Sequence, residues 1–172
     1  MALHARDRGG SGARLAATAL RMVALARPPE AAVFVSGRPD IAAASGAHGV
    51  QLGTGDLSPA DARLVLRGWI GCSVHTLGEA TAAVEQGADF LVLGSIYETP
   101  SHPGAAPVGT EMLREAARLG RPVIAIGGIT PERVPKLKSA GAYGVAAIRA
   151  LWQADDPATA TLALLAPWLE HP

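Results

Sequence analysis

The sequence predicts an α/β fold in which short parallel strands alternate with helices along the whole chain. Short apolar runs and helical patterns follow one another in turn, which is typical of repeated βα units. Most of the runs are apolar throughout and lack inside/outside alternation, which indicates strands covered on both faces. A Gly-Ala pair recurs just before a strand at Gly46-Ala47, Gly87-Ala88 and Gly141-Ala142, where glycine can end a helix in the left-handed conformation.

The predicted elements form seven βα units. The strands are predicted at Ala2–Arg6, Ala32–Val35, Gly49–Leu52, Trp69–Val74, Phe90–Leu93, Val123–Ile126 and Gly144–Ala147. The helical segments are predicted near residues 11–26, 39–45, 58–67, 76–86, 109–119, 131–139 and 157–169. This order indicates a (β/α)₈ barrel of the TIM type that apparently lacks its first βα unit. A doubly wound open sheet is the alternative, although no Gly-x-Gly-x-x-Gly follows the first strand to anchor a dinucleotide.

Length and composition predict a single domain over residues 1–172, because a chain of this length with 49% hydrophobic residues can bury a sizeable core. Fifteen basic and fifteen acidic residues balance to a net charge of +0, which disfavours nucleic acid and anionic membranes as partners. The apolar stretch from Leu15 to Ala26 is interrupted by Arg21, so we expect no membrane span. One cysteine, Cys72, excludes an intramolecular disulfide and fits a reducing cytoplasm.

Functional residues are expected at the carboxyl ends of the strands, because the loops there form one rim of a βα architecture. Gly127-Gly128 follows an apolar strand and precedes a helix start at Thr130-Pro131, so its backbone amides predict a phosphate site. A purely structural tight turn is the alternative. The other candidates at strand ends are Arg6, Arg8, Ser36, Arg38, Gln51, Asp56, Ser73, His75, Ser95, Glu98, Thr99 and His102.

Three of these side chains are candidates for proton transfer. His75 leads into a helix through Thr76 and could act as an acid or base, or make a structural hydrogen bond. His102 lies in a proline-rich loop that could close over the rim, or is an exposed loop histidine. Glu98 could relay protons or accept a loop hydrogen bond.

The remaining charged candidates suit anions or metal. Asp56 could bind Mg²⁺ together with a diphosphate, or cap the helix that opens near Ser58. Arg6 and Arg8 share one face of a strand end and could meet a diphosphate or a carboxylate, or remain solvated. Structural roles are expected for the other histidines, His4, His48 and His171.

A further pattern is carried by segments in a fixed order. They are Leu3-His4-Ala5-Arg6-Asp7-Arg8, Val35-Ser36-Gly37-Arg38-Pro39-Asp40, Gly49-Val50-Gln51-Leu52-Gly53 with Asp56, Ser73-Val74-His75, Gly94-Ser95-Ile96-Tyr97-Glu98-Thr99, and the run from Pro122 to Arg133. In order and spacing these segments resemble the thiamine phosphate synthase/TenI family, whose members are (β/α)₈ barrels that act on thiazole phosphates in thiamine biosynthesis. The resemblance spans nearly the whole chain.

Within that family the chain resembles more closely the TenI branch, thiazole tautomerases that aromatise a carboxythiazole phosphate by proton transfer without a cofactor. The acid/base histidine of a characterised member falls at Ser95, so the resemblance implies His75, His102 and Glu98 as the catalytic groups. It further implies substrate contacts by Arg6, Arg8, Arg38, Gln51, Ser73, Ser95 and Thr99. The phosphate would lie on backbone amides at Gly127, Gly128, Ala147 and Ile148.

The synthase branch, which uses Mg²⁺ to join hydroxymethylpyrimidine diphosphate to thiazole phosphate, is the alternative. It typically shows Asn-Asp-Arg where this chain has Ser36-Gly37-Arg38, so a metal-ligating aspartate is lost and Asp56 is the carboxylate that still matches. His102 stands where the branch has a lysine that grips the diphosphate, and Arg8 replaces another lysine. A third interpretation is a non-catalytic regulator that binds a thiazole phosphate. A second copy of the chain could cover exposed sheet edges in any of these cases.

Overall fold

The computed structural model describes residues 1–7, 9–28, 30–100, 104 and 106–169. By its internal contacts the chain divides into two compact units. The first consists of Met1–Ser73 and Ala82–Phe90, and the second of Val74–Thr81 and Leu91–Pro172.

The first unit is built on parallel strands. Its elements are β1 (Ala2–Ala5), α1 (Gly12–Leu25), β2 (Ala32–Ser36), α2 (Pro39–Ser45), β3 (Gly49–Leu52), α3 (Pro59–Arg63) and nearly all of β4 (Trp69–Val74). Val35 of β2 pairs with Val50 of β3, which in turn pairs with Ile70 of β4. These three side chains are fully buried, and every residue of β3 is buried, as expected of a strand covered on both faces.

The second unit repeats the same plan. Helix α4 (Leu77–Glu85) begins in this unit, and the further elements are β5 (Phe90–Leu93), α5 (Gly109–Ala117), β6 (Val123–Ile126), a 3₁₀ turn (Pro131–Arg133), α6 (Val134–Ser139), β7 (Gly144–Ala146), α7 (Arg149–Trp152) and α8 (Pro157–Leu169). β6 lies between β5 and β7 and pairs with both in parallel, through Val92 with Ile124 and Ala125 with Val145. Leu91, Leu93 and Val123 are buried in its core.

The predicted alternation of strands and helices is confirmed, and the described residues contain the seven predicted strands. The helix predicted over 58–67 ends early, at Arg63. Arg63 Nη1 donates to the carbonyl of Gly68 at 2.6 Å, and the turn between them buries Leu66, so tertiary contacts override a sequence that could continue the helix. The helix predicted over 131–139 is divided into the 3₁₀ turn and α6.

The recurring glycines end helices as predicted. Gly46, Gly87 and Gly141 have φ of 69°, 91° and 95°, the left-handed region in which glycine pays no Cβ penalty. Among the described residues, no helix is long and apolar enough to cross a membrane.

Candidate functional site

In the first unit, Gln51 at the end of β3 is bonded to Ser73 at the end of β4. Gln51 Nε2 donates to Ser73 Oγ at 3.1 Å and to the Leu52 carbonyl at 3.3 Å. The side chain is buried, at 8% exposure, yet its Oε1 has no hydrogen-bond partner within the described residues. Gly71 makes room for this oxygen, since a Cβ there would lie 2.4 Å from it. A buried acceptor left unpaired is costly, so Oε1 is available to an N–H donor of a ligand.

Asp56 lies against the loop that follows β2. Its Oδ2 accepts a hydrogen bond from the Gly53 amide at 2.7 Å, and a Cβ built on Gly37 would lie 3.0 Å from the same oxygen. The cap of α3 is Ser58, whose Oγ accepts from the Asp61 amide at 3.1 Å, so Asp56 does not take the capping role given as its alternative. The Asp56 carboxylate is therefore held at the strand ends of this unit.

The predicted arginines of this unit differ in their surroundings. Arg38 makes a two-point ion pair with Asp40, Nε to Oδ1 at 2.8 Å and Nη2 to Oδ2 at 2.6 Å. This hydrogen bonding lowers the pKa of Asp40 and raises that of Arg38, so the guanidinium fork is already occupied by a carboxylate. Arg6 is exposed just after β1. Arg8 lies outside the described residues.

His4 and His48 have the expected structural roles. The His4 ring stacks on Phe34 with centroids 5.5 Å apart, and partial desolvation of the ring, followed by the charge of Arg6, lowers the pKa of His4. His48 Nδ1 accepts a hydrogen bond from the Val33 amide at 2.9 Å. His171 lies outside the described residues.

In the second unit, His75 follows β4 and is held at two points. Its backbone amide donates to Glu79 Oε2 at 2.6 Å, and the Glu79 amide donates to Thr76 Oγ1 at 3.1 Å, which together fix the start of α4. His75 Nδ1 is hydrogen-bonded to the Gly94 carbonyl. Because a carbonyl can only accept, Nδ1 carries the proton, and in the neutral ring Nε2 is the basic nitrogen.

The Gly127-Gly128 turn after β6 packs against the segment that follows β5. Gly127 has φ of 97°, and a Cβ there would lie 2.5 Å from Ser95 Cβ. Gly128 has φ of 64°, and a Cβ there would lie 2.6 Å from the Glu98 carbonyl oxygen. The Tyr97 amide donates to the Gly127 carbonyl at 3.1 Å. Only glycines fit this close approach, which brings Ser95 and the Glu98 backbone to the predicted phosphate turn.

Two arginines whose side chains were given no role from the sequence lie in this unit, and Arg133 contacts the turn. Arg133 Nη1 donates to the Gly128 carbonyl at 2.5 Å, and its guanidinium lies 4.3 Å from the centroid of the Tyr97 ring. Arg149 Nη2 donates to Thr99 Oγ1 at 3.4 Å. The sequence could have indicated both arginines. Arg133 is the last residue of the run from Pro122 that contains the two glycines, and Arg149 directly follows Ala147 and Ile148, which were predicted to bind the phosphate.

One predicted detail of the second unit is wrong, and the surroundings of the other predicted residues are as follows. Thr130 stands at the cap position but makes no side-chain capping bond; its hydroxyl instead bonds to the Glu132 carboxylate and lowers the pKa of that group. The Ile148 carbonyl accepts from the Leu151 amide at 3.1 Å and the Trp152 amide at 2.9 Å, so Ile148 leads into α7. Glu98 has an exposed side chain, and His102 lies outside the described residues.

Side chains that could bind a metal ion do not cluster in the described part of the chain. Within the ranges that the structure describes, no group of three or more His, Cys, Asp or Glu side chains could hold a metal ion. A metal in the first unit would therefore depend on the single carboxylate of Asp56 and on ligands from a substrate.

Comparison with known proteins decides the family. A family model described as thiamine monophosphate synthase matches residues 1–151. The chain belongs to this family. It is similar to a thiamine-phosphate synthase of Thermus thermophilus, with 42% identity over 146 residues, 84% of this chain and 71% of that protein. It is also similar to that of Mycolicibacterium gilvum, with 40% identity over 167 residues, 90% of this chain and 70% of that protein.

Solved structures agree with this assignment. Thiamine phosphate pyrophosphorylase from Pyrococcus furiosus matches with a TM-score of 0.87 and 34% identity, over 95% of this chain and 80% of that one. A 3-hexulose-6-phosphate synthase matches with a TM-score of 0.74 at 20% identity, over 96% of this chain and 86% of that one, which is a likeness of fold alone. The predicted (β/α)₈-barrel type of fold is confirmed, with seven strands in the described part of the chain.

The comparisons also bear on the branch of the family. The chain is a thiamine biosynthesis protein, as predicted. Its relatives in Thermus and Mycolicibacterium are named as synthases, which supports the alternative function over the tautomerase that the motifs favoured. The TenI branch itself receives no specific support from these relatives.

Proposed function

We propose that this protein is a thiamine-phosphate synthase, which joins hydroxymethylpyrimidine diphosphate to thiazole phosphate and releases pyrophosphate. The observation that carries the proposal is the 42% identity to the synthase of Thermus thermophilus across 84% of this chain. The reaction is a cytoplasmic one in this proposal, which fits a chain whose single cysteine is a buried free thiol.

The chemistry of the coupling suits the residue at position 95. The thiazole nitrogen forms a bond to the pyrimidine methylene carbon, and the carbon–oxygen bond to the diphosphate breaks with its electron pair leaving on pyrophosphate. No proton has to be moved by an acid or base of pKa near 7 for this exchange. Ser95, a poor acid/base, is therefore compatible with a synthase, whereas a tautomerase needs a proton-transfer group.

The thiazole phosphate is assigned to the second unit in this proposal. The Gly127-Gly128 turn is shaped by its contacts with Ser95 and the Glu98 backbone, and both glycines let a ligand approach the main chain closely. Ala147 and Ile148 follow the neighbouring strand β7 and complete the set of amides proposed for the phosphate. Thr99 is proposed to contact the substrate beside them.

The pyrimidine diphosphate and its Mg²⁺ are assigned to residues of the first unit. Mg²⁺ in enzymes is commonly held by one or two carboxylates together with substrate phosphates. Asp56 fits the single-carboxylate case, because the Gly53 amide fixes Oδ2 and Gly37 adds no side chain beside it. When bound, the ion would neutralise charge on the diphosphate. Gln51 is proposed to receive a substrate N–H at its unpaired Oε1, with Ser73 holding its amide.

A proton NMR time course tests the proposal. One tube holds the protein with thiazole phosphate, pyrimidine diphosphate and Mg²⁺, and the other holds the protein with the carboxythiazole phosphate tautomer alone. The proposal predicts thiamine phosphate in the first tube and an unchanged tautomer in the second. Aromatisation in the second tube without product in the first would replace the synthase by a tautomerase. Binding of thiazole phosphate without turnover in either tube would indicate a regulator.

A further inference from the structure

The side chain of Arg149 is hydrogen-bonded to Thr99, and the two residues follow the strands on either side of β6. Arg149 follows β7 and its Nη2 donates to Thr99 Oγ1, which follows β5. Strand β6 lies between β5 and β7 and pairs with both in parallel. Because parallel strands end at the same edge of a sheet, Arg149 and Thr99 both lie in segments that leave the sheet at the edge where β6 ends. The carboxyl end of β6 continues directly into Gly127-Gly128.

The glycine turn continues the strand that lies between the two strands that Thr99 and Arg149 follow. Gly127 packs on Ser95 and Gly128 packs on the Glu98 carbonyl, so the turn is fixed against the segment that leads to Thr99. Arg149 approaches from the opposite neighbouring strand. A phosphate seated on the turn would meet amide groups from the main chain and a full positive charge from Arg149.

Arg149 is suited to exchange its present partner for a phosphate. Its side chain is exposed, and the bond to Thr99 at 3.4 Å is long for a hydrogen bond and uses one of five guanidinium N–H groups. Arg133, by contrast, already lies over the Tyr97 ring and donates to Gly128 at 2.5 Å. Arg133 holds the turn in shape, while Arg149 can turn its planar fork to phosphate oxygens.

We infer that Arg149 is a direct cationic ligand of the substrate phosphate and makes this chain select thiazole phosphate over the unphosphorylated thiazole alcohol. The inference rests on the proposed function for the identity of the thiazole. It adds a charged side chain to a phosphate site otherwise assigned to backbone amides.

Calorimetric titration with thiazole phosphate and, separately, with the thiazole alcohol tests this inference. Arg149→Ala should weaken binding of the phosphate by about tenfold or more and leave binding of the alcohol within about twofold. Arg149→Lys should recover part of the lost affinity for thiazole phosphate, since lysine restores the positive charge but lacks the planar guanidinium group. Raising the ionic strength from about 50 mM to about 300 mM should reduce the difference in affinity for thiazole phosphate between wild type and Arg149→Ala, because salt screens the charge of Arg149. Arg114→Ala removes a partly exposed arginine that pairs with Glu111 on α5 and should change neither affinity.

The inference is overturned if Arg149→Ala, with an unchanged melting temperature, binds thiazole phosphate as tightly as wild type. An equal loss of affinity for thiazole phosphate and for the thiazole alcohol would overturn it too, because a contact with the phosphate charge affects only the phosphorylated ligand. Binding is measured without turnover, so the two proposals fail separately. A wild-type protein that binds thiazole phosphate through Arg149 yet forms no thiamine phosphate would retain this inference and refute the synthase.

Discussion

Gly127 lies so close to Ser95 that a methyl group added at its Cα would stand 2.5 Å from Ser95 Cβ. Real carbon atoms do not approach to this distance without something moving, and Gly127 also has φ of 97°, which L side chains rarely adopt. The close contact and the backbone conformation thus both require glycine at the turn proposed to bind phosphate.

Replacing Gly127 with alanine should distort this turn. We expect Gly127→Ala to lose about 2–5 kcal/mol of stability from strain and overpacking together, and to weaken binding of thiazole phosphate by more than tenfold. Urea denaturation and calorimetry measure the two effects. Gly120→Ala is the matched control, because Gly120 has φ of 77° but nothing within 4 Å of an added Cβ. It should cost about 1 kcal/mol and leave binding intact. Equal effects of the two substitutions would refute the close-contact explanation.

Gln51 offers a test that separates binding from stability. Gln51→Met keeps the length of the side chain and removes the buried unpaired oxygen, but it also removes the two hydrogen bonds that Nε2 donates. These effects on the free energy of unfolding oppose each other, so stability should change by less than about 2 kcal/mol. The KM for the pyrimidine diphosphate should rise about tenfold, because the acceptor for a substrate N–H is gone. Steady-state kinetics and urea denaturation on the same preparation check both. Ser73→Ala retains Gln51 Oε1 and the hydrogen bond from Gln51 to the Leu52 carbonyl. The KM of this variant for the pyrimidine diphosphate should therefore rise less than that of Gln51→Met. A large loss of stability with unchanged KM would make Gln51 structural.

Asp56 should control the dependence on Mg²⁺. Asp56→Asn can still accept the Gly53 amide but loses the negative charge, so the Mg²⁺ concentration for half-maximal rate should rise about tenfold or more. Rates measured across a Mg²⁺ titration check this. Glu111→Gln removes an exposed carboxylate on α5 and should leave the titration unchanged. An unaltered Mg²⁺ dependence in Asp56→Asn would exclude this carboxylate as the ligand.

We expect the folded protein to lose stability at alkaline pH because of the buried thiol of Cys72. Burial, with a smaller contribution from Asp89, raises the pKa of its thiol from 9.0 to about 11. Between these values the unfolded chain releases a proton that the folded chain keeps, so unfolding becomes easier as the pH rises. This difference in pKa corresponds to about 3 kcal/mol of stability, which is present below pH 9 and lost by about pH 11. Urea denaturation at about pH 8 and about pH 10.5 should show a smaller decline for Cys72→Ala than for wild type. Parallel declines would contradict the assignment.

Much of the fold could be predicted because the strands bury both faces. Gly49–Leu52, Trp69–Val74, Phe90–Leu93 and Val123–Ile126 have the same bounds in the sequence prediction and in the structure. The early end of α3 could not be predicted, since it depends on Arg63 reaching the Gly68 carbonyl. Helix α7 has four residues and no side-chain cap, so it left no periodic signal.

The positions of candidate site residues could be predicted where they follow from strand ends, and could not be predicted where they depend on contacts with neighbouring strands. The glycine turn and Gln51 were found as polar or glycine residues directly at the ends of strands. The partner of His75, the Gly94 carbonyl, is a backbone atom that no motif marks. The bond from Arg149 to Thr99 joins residues fifty positions apart and follows only from the order of β5, β6 and β7.

The most direct test of the central claim is phosphorus NMR of the wild-type protein with both substrates and Mg²⁺. A synthase will form thiamine phosphate and pyrophosphate in equal amounts, and a chelator of Mg²⁺ will stop the formation of both. If the protein binds both substrates and neither product forms, the chain is not a synthase.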